Sequence, residues 1–481
     1  MGYHGGVKVC FILPPETHSI ESSIPKRLEG GKGIYPKLGI LSVAAYAEKT
    51  AGIDAKLLDC PALGLDYPAL GRTLASEQPD LVAISTLTFN LIDTFKVIRT
   101  VKENSPRSLV CVGGQHVNLY PEETLRLEGV DYVVAGEGER SFAQLVQALE
   151  AKATDDQLAA IPGLGFKRGG NVRLNTNLDK VPDLDDLPFP ARHLIDMGQY
   201  SHLIGKGKRF ATLQSSRGCP AACLFCDIRL TKFRQRSPES VVAEIRMLAE
   251  QGFDDFFFVD DTITINRKRL RTICQTLAKE GPRINFKISA RVDTVDPELL
   301  TDLKAAGCYR IHFGVESATP RLLEYMEKGV MPERIEKAFR DTRAAGIGTY
   351  AYMMIGIPSE TEEEMYRSTD FAVSLKAEYA QFSVCTPYPK TALYQRMMTD
   401  GIVPEDYWLD FAKNPREDFR MRFYNPDFNE EDLRKIQDEC HKRFYGRAGI
   451  VAREALKLRS WADLKAKARL GASILLKRIN R

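Results

Sequence analysis

Between residues 7 and 150, short β-branched apolar runs alternate with stretches whose apolar positions recur at steps of three and four. Val7 to Leu13 is strand-like and stops at Pro14-Pro15. Leu38 to Lys49 sets Leu38, Leu41 and Ala45 on one helical face. Further strands are predicted at Ala55 to Asp59, Leu81 to Ser85, Leu109 to Val112 and Asp131 to Ala135. Further helices are predicted at Phe89 to Lys102 and Ser141 to Ala151. This alternation predicts an α/β fold with a parallel, doubly wound, Rossmann-like sheet. Ligands of such sheets lie beyond the carboxyl ends of the strands. There the chain carries Ser85-Thr86-Leu87-Thr88, Gly113-Gly114-Gln115-His116 and Gly136-Glu137-Gly138-Glu139. Glycines of this kind read equally well as tight turns.

Ile161 to Tyr200 is loop-like, with Gly163, Gly165, Gly169-Gly170, Pro182, Pro188 and Pro190. The alternation resumes at Arg209. Six strands are predicted: Phe210 to Gln214, Asp255 to Val259, Asn285 to Ser289, Arg310 to Val315, Tyr350 to Ile355 and Tyr379 to Val384. Helical segments such as Ser240 to Gln251 and Pro297 to Ala306 separate them. Past about residue 400 the pattern changes. Tyr407, Trp408, Phe411, Phe419, Phe423, Tyr424 and Phe428 make an aromatic stretch, either a roof over a site or a packed cap. Beyond Glu430 the chain reads helical. Val451, Leu458, Trp461, Leu464, Ala468, Leu475 and Ile479 form one stripe, bordered by Lys457, Lys465, Lys467, Arg469 and Lys477. The expected domains are 1–155, a linker at 156–205, 206–400 and a helical C-terminal region at 401–481.

A chain of 481 residues suits two or three domains, and 44% hydrophobic with 27% charged residues is a soluble globular balance. The sequence begins with no secretory pattern and contains no run of about 18 apolar residues. A cytoplasmic location is therefore expected. The net charge of +3 hides an asymmetry: His441 to Arg481 holds twelve Lys/Arg against two Asp/Glu, while the rest holds 55 against 62. A basic amphipathic helix bearing a Trp either lies peripherally on the inner membrane face or docks on the protein with a solvated basic face. Nothing in the tail resembles a nucleic-acid-binding fold. Of the ten cysteines, Cys10 and Cys111 sit in apolar runs and read as core.

Three other cysteines carry more information. Arg217-Gly218-Cys219-Pro220-Ala221-Ala222-Cys223-Leu224-Phe225-Cys226 puts three thiolates in one tight loop. Three thiolates on a four-iron cluster leave one iron open to bind a small molecule. This loop, with Phe225 before the third cysteine, resembles the signature of the radical S-adenosylmethionine (SAM) superfamily. The resemblance implies a 4Fe–4S cluster on Cys219, Cys223 and Cys226. Its open iron would hold the amino and carboxyl groups of SAM, and reductive cleavage would give a 5′-deoxyadenosyl radical. It implies an external electron donor of the flavodoxin or ferredoxin type, and a partial (β/α)6 barrel with its site at the strand C-termini.

The strand ends carry polar groups where that resemblance expects them. Asp260, Asp261 and Glu316-Ser317 suit the SAM amino group or ribose, Arg291 its carboxylate, and Gly356 a close approach along the adenine. Each carboxylate could instead be an ordinary ion pair of the barrel rim. The three polar and glycine turns of the first domain, in this order before the cysteine loop, resemble the cobalamin-binding domain of cobalamin-dependent radical SAM enzymes. On that resemblance Ser85, Thr86, Gly113, Gly114, His116, Gly136, Glu137, Gly138 and Glu139 line a corrinoid whose nucleotide tail enters the sheet. The Asp-x-His-x-x-Gly motif that supplies a lower histidine elsewhere is missing, which leaves the lower cobalt ligand undefined.

The expectation is a cobalamin-dependent radical SAM enzyme acting on an unactivated carbon, most simply by C-methylation of a lipid-like or tetrapyrrole small molecule. The alternative keeps the cofactors without methyl transfer: oxidative cyclisation of the Mg-protoporphyrin monomethyl ester cyclase kind, ring rearrangement or carbon–carbon coupling. A methylthiotransferase would need a second cluster on cysteines such as Cys10, Cys60 and Cys111. A non-catalytic corrinoid or iron–sulfur sensor would normally carry an output domain.

Overall fold

The computed structural model describes residues 6–20, 33–200, 205–423 and 425–450. These fall into two compact units. The first contains the residues up to 20, those from 34 to 200 and Glu405–Arg420. The second contains the residues from 205 to 404 and from 421 to 450.

The first unit is built on a seven-stranded sheet. Its strands are β1 (Lys8–Leu13), β2 (Asp54–Asp59), β3 (Leu81–Ser85), β4 (Leu109–Gly113), β5 (Tyr132–Val134), β6 (Leu164–Arg168) and β7 (Asn171–Leu174). The order is β2-β1-β3-β4-β5-β6-β7, parallel from β2 to β5. The strands read as continuous apolar runs because both faces are covered: Phe11, Ile12, Val82, Ile84, Val110 and Val112 are fully buried. Helices Leu38–Ala51 and Glu139–Glu150 pack on one another, as do Tyr67–Glu77 and Leu91–Asn104. The chain leaves β1 for β2 on one side and returns to β3 on the other, so the switch point lies between β1 and β3.

β6 and β7 correct the loop expected over Ile161 to Tyr200. They form an antiparallel hairpin pairing Arg168 with Asn171, and it turns on Gly169 and Gly170 at φ 56° and 83°. Two consecutive positive φ angles match a tight hairpin turn that glycine adopts without strain. The aromatic stretch after residue 400 is divided as well. Its helix Tyr407–Lys413 belongs to the first unit, where Trp408 is fully buried and meets Phe89 edge-on at 6.0 Å.

The second unit has six parallel strands in consecutive order: β8 (Phe210–Leu213), β11 (Asp255–Phe258), β12 (Asn285–Ala290), β13 (Cys308–Glu316), β14 (Gly348–Ile355) and β15 (Tyr379–Val384). Helices separate them, a strand–helix repeat that leaves β8 and β15 as edges. A two-residue ribbon, β9 (Ser216–Arg217) with β10 (Arg234–Gln235), frames the cysteine loop. Helix Glu430–Tyr445 packs on β15. Gln437 Nε2 donates to the Phe382 carbonyl at 2.8 Å, and the Tyr445 hydroxyl donates to the Ala380 carbonyl at 2.6 Å. Along β14 burial alternates: Ala351, Met353 and Ile355 are buried, while Tyr350, Tyr352 and Met354 stay partly accessible. Among the described residues no helix is long and apolar enough to cross a membrane. The basic stripe from Val451 to Ile479, and Tyr424, lie outside the described residues.

Candidate functional site

The cysteine loop leaves β8 through β9 and is tied down along its length. Gly218 takes a φ of 89°, and a Cβ there would stand 2.4 Å from the Lys232 carbonyl oxygen, so only glycine admits the turn. The Cys219 amide donates to Thr231 Oγ1 at 2.9 Å, and the Thr231 amide donates back to the Cys219 carbonyl at 3.0 Å. The Leu224 amide donates to the Met326 carbonyl at 2.9 Å. Cys219 and Cys223 are buried and Cys226 is half-buried. Burial pushes the Cys226 thiol up to about 12, and neighbouring Cys223 and Cys219 act in the same sense. Such thiols lose their protons when a metal binds. Among the described residues no three His, Cys, Asp or Glu side chains converge as a single ion would need. A four-iron cluster instead spreads its thiolate ligands over its own width, and three thiols on one glycine-tight, desolvated loop fit that demand.

The residues expected to hold SAM are distributed as follows. Asp260 is almost fully buried after β11. It accepts from the Ser215 amide at 2.8 Å, from Ser215 Oγ at 2.7 Å and from Ser216 Oγ. Burial nonetheless pushes its carboxyl up. Asp261 accepts from the Gly218 amide at 2.8 Å, and burial raises it too. Both carboxylates therefore hold the entry to the cysteine loop. Arg291, after β12, grips Asp293 through Nε at 3.0 Å and Nη2 at 2.9 Å, and reaches Cys223 Sγ with Nη1 at 3.4 Å. Glu316 is buried at a φ of 69° and pairs with Lys328 Nζ at 2.8 Å. Ser317 is fully buried, 3.3 Å from Ser368 Oγ. At Gly356, with a φ of 72°, a Cβ would come within 2.8 Å of Leu433.

Asp260, Asp261 and Arg291 thus meet around the cysteine loop. Glu316 joins them at one remove, because the carbonyl of its partner Lys328 accepts from Arg291 Nη2 at 2.8 Å. Ser317 and Gly356 pack inside the unit. Asp293 and Lys328 complete this network and carry no motif in the sequence. A second set of polar residues is equally silent in the sequence. His312 on β13 is buried, stacks on Tyr350 at 4.7 Å and holds the Tyr352 hydroxyl at 3.0 Å from Nδ1. Burial, with Lys287 and Arg310 beside it, depresses its basicity far below the usual value, and burial pulls Lys287 down to about 8. Arg310 pairs with Glu378 at 3.1 Å. The available signal was a run of polar residues at every second position of a strand flanked by buried ones.

In the first unit a cleft of about 580 Å³, its open mouth included, lies at the carboxyl ends of β1, β3, β4 and β5. Phe11, Ile40, Val43, Ile84 and Phe142 give it an apolar wall. Ser85, Gly113, Gly114, Gly136, Glu137 and Gly138 line it as well. Gly114, at a φ of 98°, has no room for a Cβ, which would meet the Thr86 carbonyl oxygen at 2.6 Å. An apolar slot edged by bare backbone fits the flat tail of a corrinoid. Thr86, His116 and Glu139 turn into the interior instead. Thr86 Oγ1 lies 2.7 Å from Thr94 Oγ1, and His116 Nδ1 lies 3.0 Å from Thr88 Oγ1 in a fully buried ring. Glu139 is buried in the first turn of its helix. Cys10, Cys60 and Cys111 are buried, and burial raises their thiols.

Two family models match the chain. The radical SAM superfamily model matches residues 213–372, and the B12 binding domain model matches residues 30–146. The chain is 32% identical to an uncharacterized methyltransferase of Pyrococcus horikoshii, over 93% of this chain and 94% of that one. It is 28% identical to the anaerobic magnesium-protoporphyrin IX monomethyl ester cyclase of Cereibacter sphaeroides, over 78% of this chain and 62% of that one. The fold matches the solved structure of the cobalamin-dependent S-adenosylmethionine radical enzyme OxsB, with aqua-cobalamin and S-adenosylmethionine bound. Its TM-score is 0.73 at 16% identity, over 97% of this chain and 71% of that one. The chain belongs to the radical SAM superfamily, in the branch that carries a B12-binding domain, whose enzymes work with a 4Fe–4S cluster, SAM and cobalamin.

Proposed function

We propose that this enzyme transfers a methyl group to an unactivated carbon of a lipid-like or tetrapyrrole substrate. The observation that carries the reading is the coexistence, in one chain, of the Cys219–Cys223–Cys226 loop and the strand-end cleft edged by Gly114, Gly136 and Gly138. When bound, the cluster with SAM supplies the 5′-deoxyadenosyl radical, and cobalamin supplies the methyl group. Asp260 and Asp261 fix the loop, and the glycines let bare backbone line the cleft that would take the corrinoid. The relative named a methyltransferase, similar over nearly the whole chain, supports transfer of a methyl group.

Substrate chemistry finds support on β14 and β15, where Tyr350, Tyr352 and Gln381 are neutral and partly accessible, beside buried His312, which burial holds neutral. Such a wall suits a flat, sparsely charged body. A flavodoxin- or ferredoxin-type protein would deliver the electron. Peripheral membrane contact rests on the sequence of the basic stripe. The second reading, oxidative ring closure without methyl transfer, is favoured by the similarity to the cyclase.

One experiment separates the two. The reconstituted enzyme is incubated anaerobically with methyl-labelled SAM, a reductant and either a bacterial lipid extract or Mg-protoporphyrin monomethyl ester. Label carried into a lipid or tetrapyrrole product together with 5′-deoxyadenosine supports methylation. Substrate turnover with 5′-deoxyadenosine and no label in product supports cyclisation instead.

A further inference from the structure

We infer that Arg291 raises the reduction potential of the cluster by hydrogen bonding to the sulfur of Cys223, rather than clamping the SAM carboxylate. The inference rests on the family reading that Cys219, Cys223 and Cys226 hold that cluster. A guanidinium recognises a carboxylate with two parallel N–H groups. In Arg291 that fork is already filled: Nε donates to Asp293 Oδ1 at 3.0 Å and Nη2 to Asp293 Oδ2 at 2.9 Å. Nη2 also donates to the Lys328 carbonyl at 2.8 Å. The remaining nitrogen, Nη1, donates to Cys223 Sγ at 3.4 Å.

The side chain is only 13% exposed, so these contacts fix its direction. Lys328, the other cation nearby, is paired with Glu316 at 2.8 Å, and its ammonium lies 5.6 Å from the centre of the Phe225 ring. Of these two cations, it is the Arg291 guanidinium that hydrogen-bonds a cluster cysteine.

Hydrogen bonds to the sulfurs and local charge are among the determinants of an iron–sulfur potential. The interaction strengthens as the cluster gains negative charge, since the attraction to the guanidinium grows with that charge and the partial burial of Arg291 limits its screening. Reduction moves one electron from the reduced flavodoxin- or ferredoxin-class donor to the oxidised cluster, and the donor is oxidised by one electron. No bond or proton changes hands in that step. A guanidinium at Cys223 makes that transfer easier.

The test is a redox titration of the reconstituted full chain without SAM, followed by electron paramagnetic resonance. Iron and sulfide are counted, and SAM binding is measured separately by equilibrium dialysis. Arg291→Gln is expected to keep its iron, shift the midpoint to more negative potential and leave SAM affinity nearly unchanged. Arg291→Lys keeps the positive charge but loses the clamped fork, so a smaller shift of the same sign is expected. If Arg291→Gln does not assemble a cluster, Arg291→Lys decides by the same shift. A midpoint equal to that of the wild type with weakened SAM binding would overturn the inference and make Arg291 a carboxylate ligand. A wild-type chain that takes up no iron would overturn the inference together with the family reading beneath it.

Discussion

Charged residues at the strand ends of the second unit bind one another and the cysteine loop before they could bind anything else. Asp260, Asp261, Arg291 and Glu316 are legible in the sequence as a set, because each follows a predicted strand. Their partners are not: Lys328 lies between helices, and Asp293 reads as a turn residue. Only the fold brings Lys328 to Glu316 and Arg291 to Cys223. Glu360, in the loop after β14, is a further case. It is fully buried, its Oε2 accepts from the Ile357 amide at 3.0 Å, and burial pushes its carboxyl up to about 8. An unfolded glutamate titrates near about 4.3. The folded chain therefore keeps a proton that the unfolded chain has lost. This group's stabilisation is full below about 4.3 and is lost as the pH rises through about 8. Glu360→Gln should flatten the fall of the thermal midpoint between those two values, relative to the wild type. Parallel pH profiles for the two proteins would refute the raised pKa.

At the scale of elements, the strands are the most legible part, because buried parallel strands must be continuous apolar runs. The six strands of the second unit and the five parallel strands of the first stand where those runs lie, within a residue or two at their ends. Helix Tyr67–Glu77 does not stand out in the pattern. Its apolar face is only Leu70 and Leu74, and the usable signal is the cap, Asp66 accepting from the Ala69 amide at 2.8 Å. The β6–β7 hairpin is hidden because Gly169-Gly170 reads as loop as readily as it reads as a two-residue turn. Helix Glu430–Tyr445 covers the edge strand β15, and its side chains occupy backbone groups that would otherwise be unpaired. The Tyr445 hydroxyl both donates to the Ala380 carbonyl and accepts from the Ala380 amide at 3.1 Å. Tyr445→Phe should cost about 1–3 kcal/mol by leaving buried Ala380 groups unsatisfied, read as a lower thermal midpoint. An unchanged midpoint would mean that the edge does not depend on this contact.

For the whole molecule, the sequence shows two α/β bodies and the cysteine loop that defines the family, since both follow from local pattern. It does not show that Glu405–Arg420 rejoins the first unit. Trp408 against Phe89, and Lys96 paired with Glu417 at 2.6 Å, are contacts between distant segments that no periodicity encodes. The substrate is equally illegible, because the motifs describe cofactors. The central claim is that one chain houses both a cluster and a corrinoid. Its most direct test is anaerobic reconstitution with iron, sulfide and hydroxocobalamin, followed by gel filtration and a metal count. The account predicts about four irons and one cobalt per chain. Iron without cobalt would contradict it: the cleft at Gly114 and Gly136 would be emptied or put to another use, and methyl transfer through cobalamin would be ruled out.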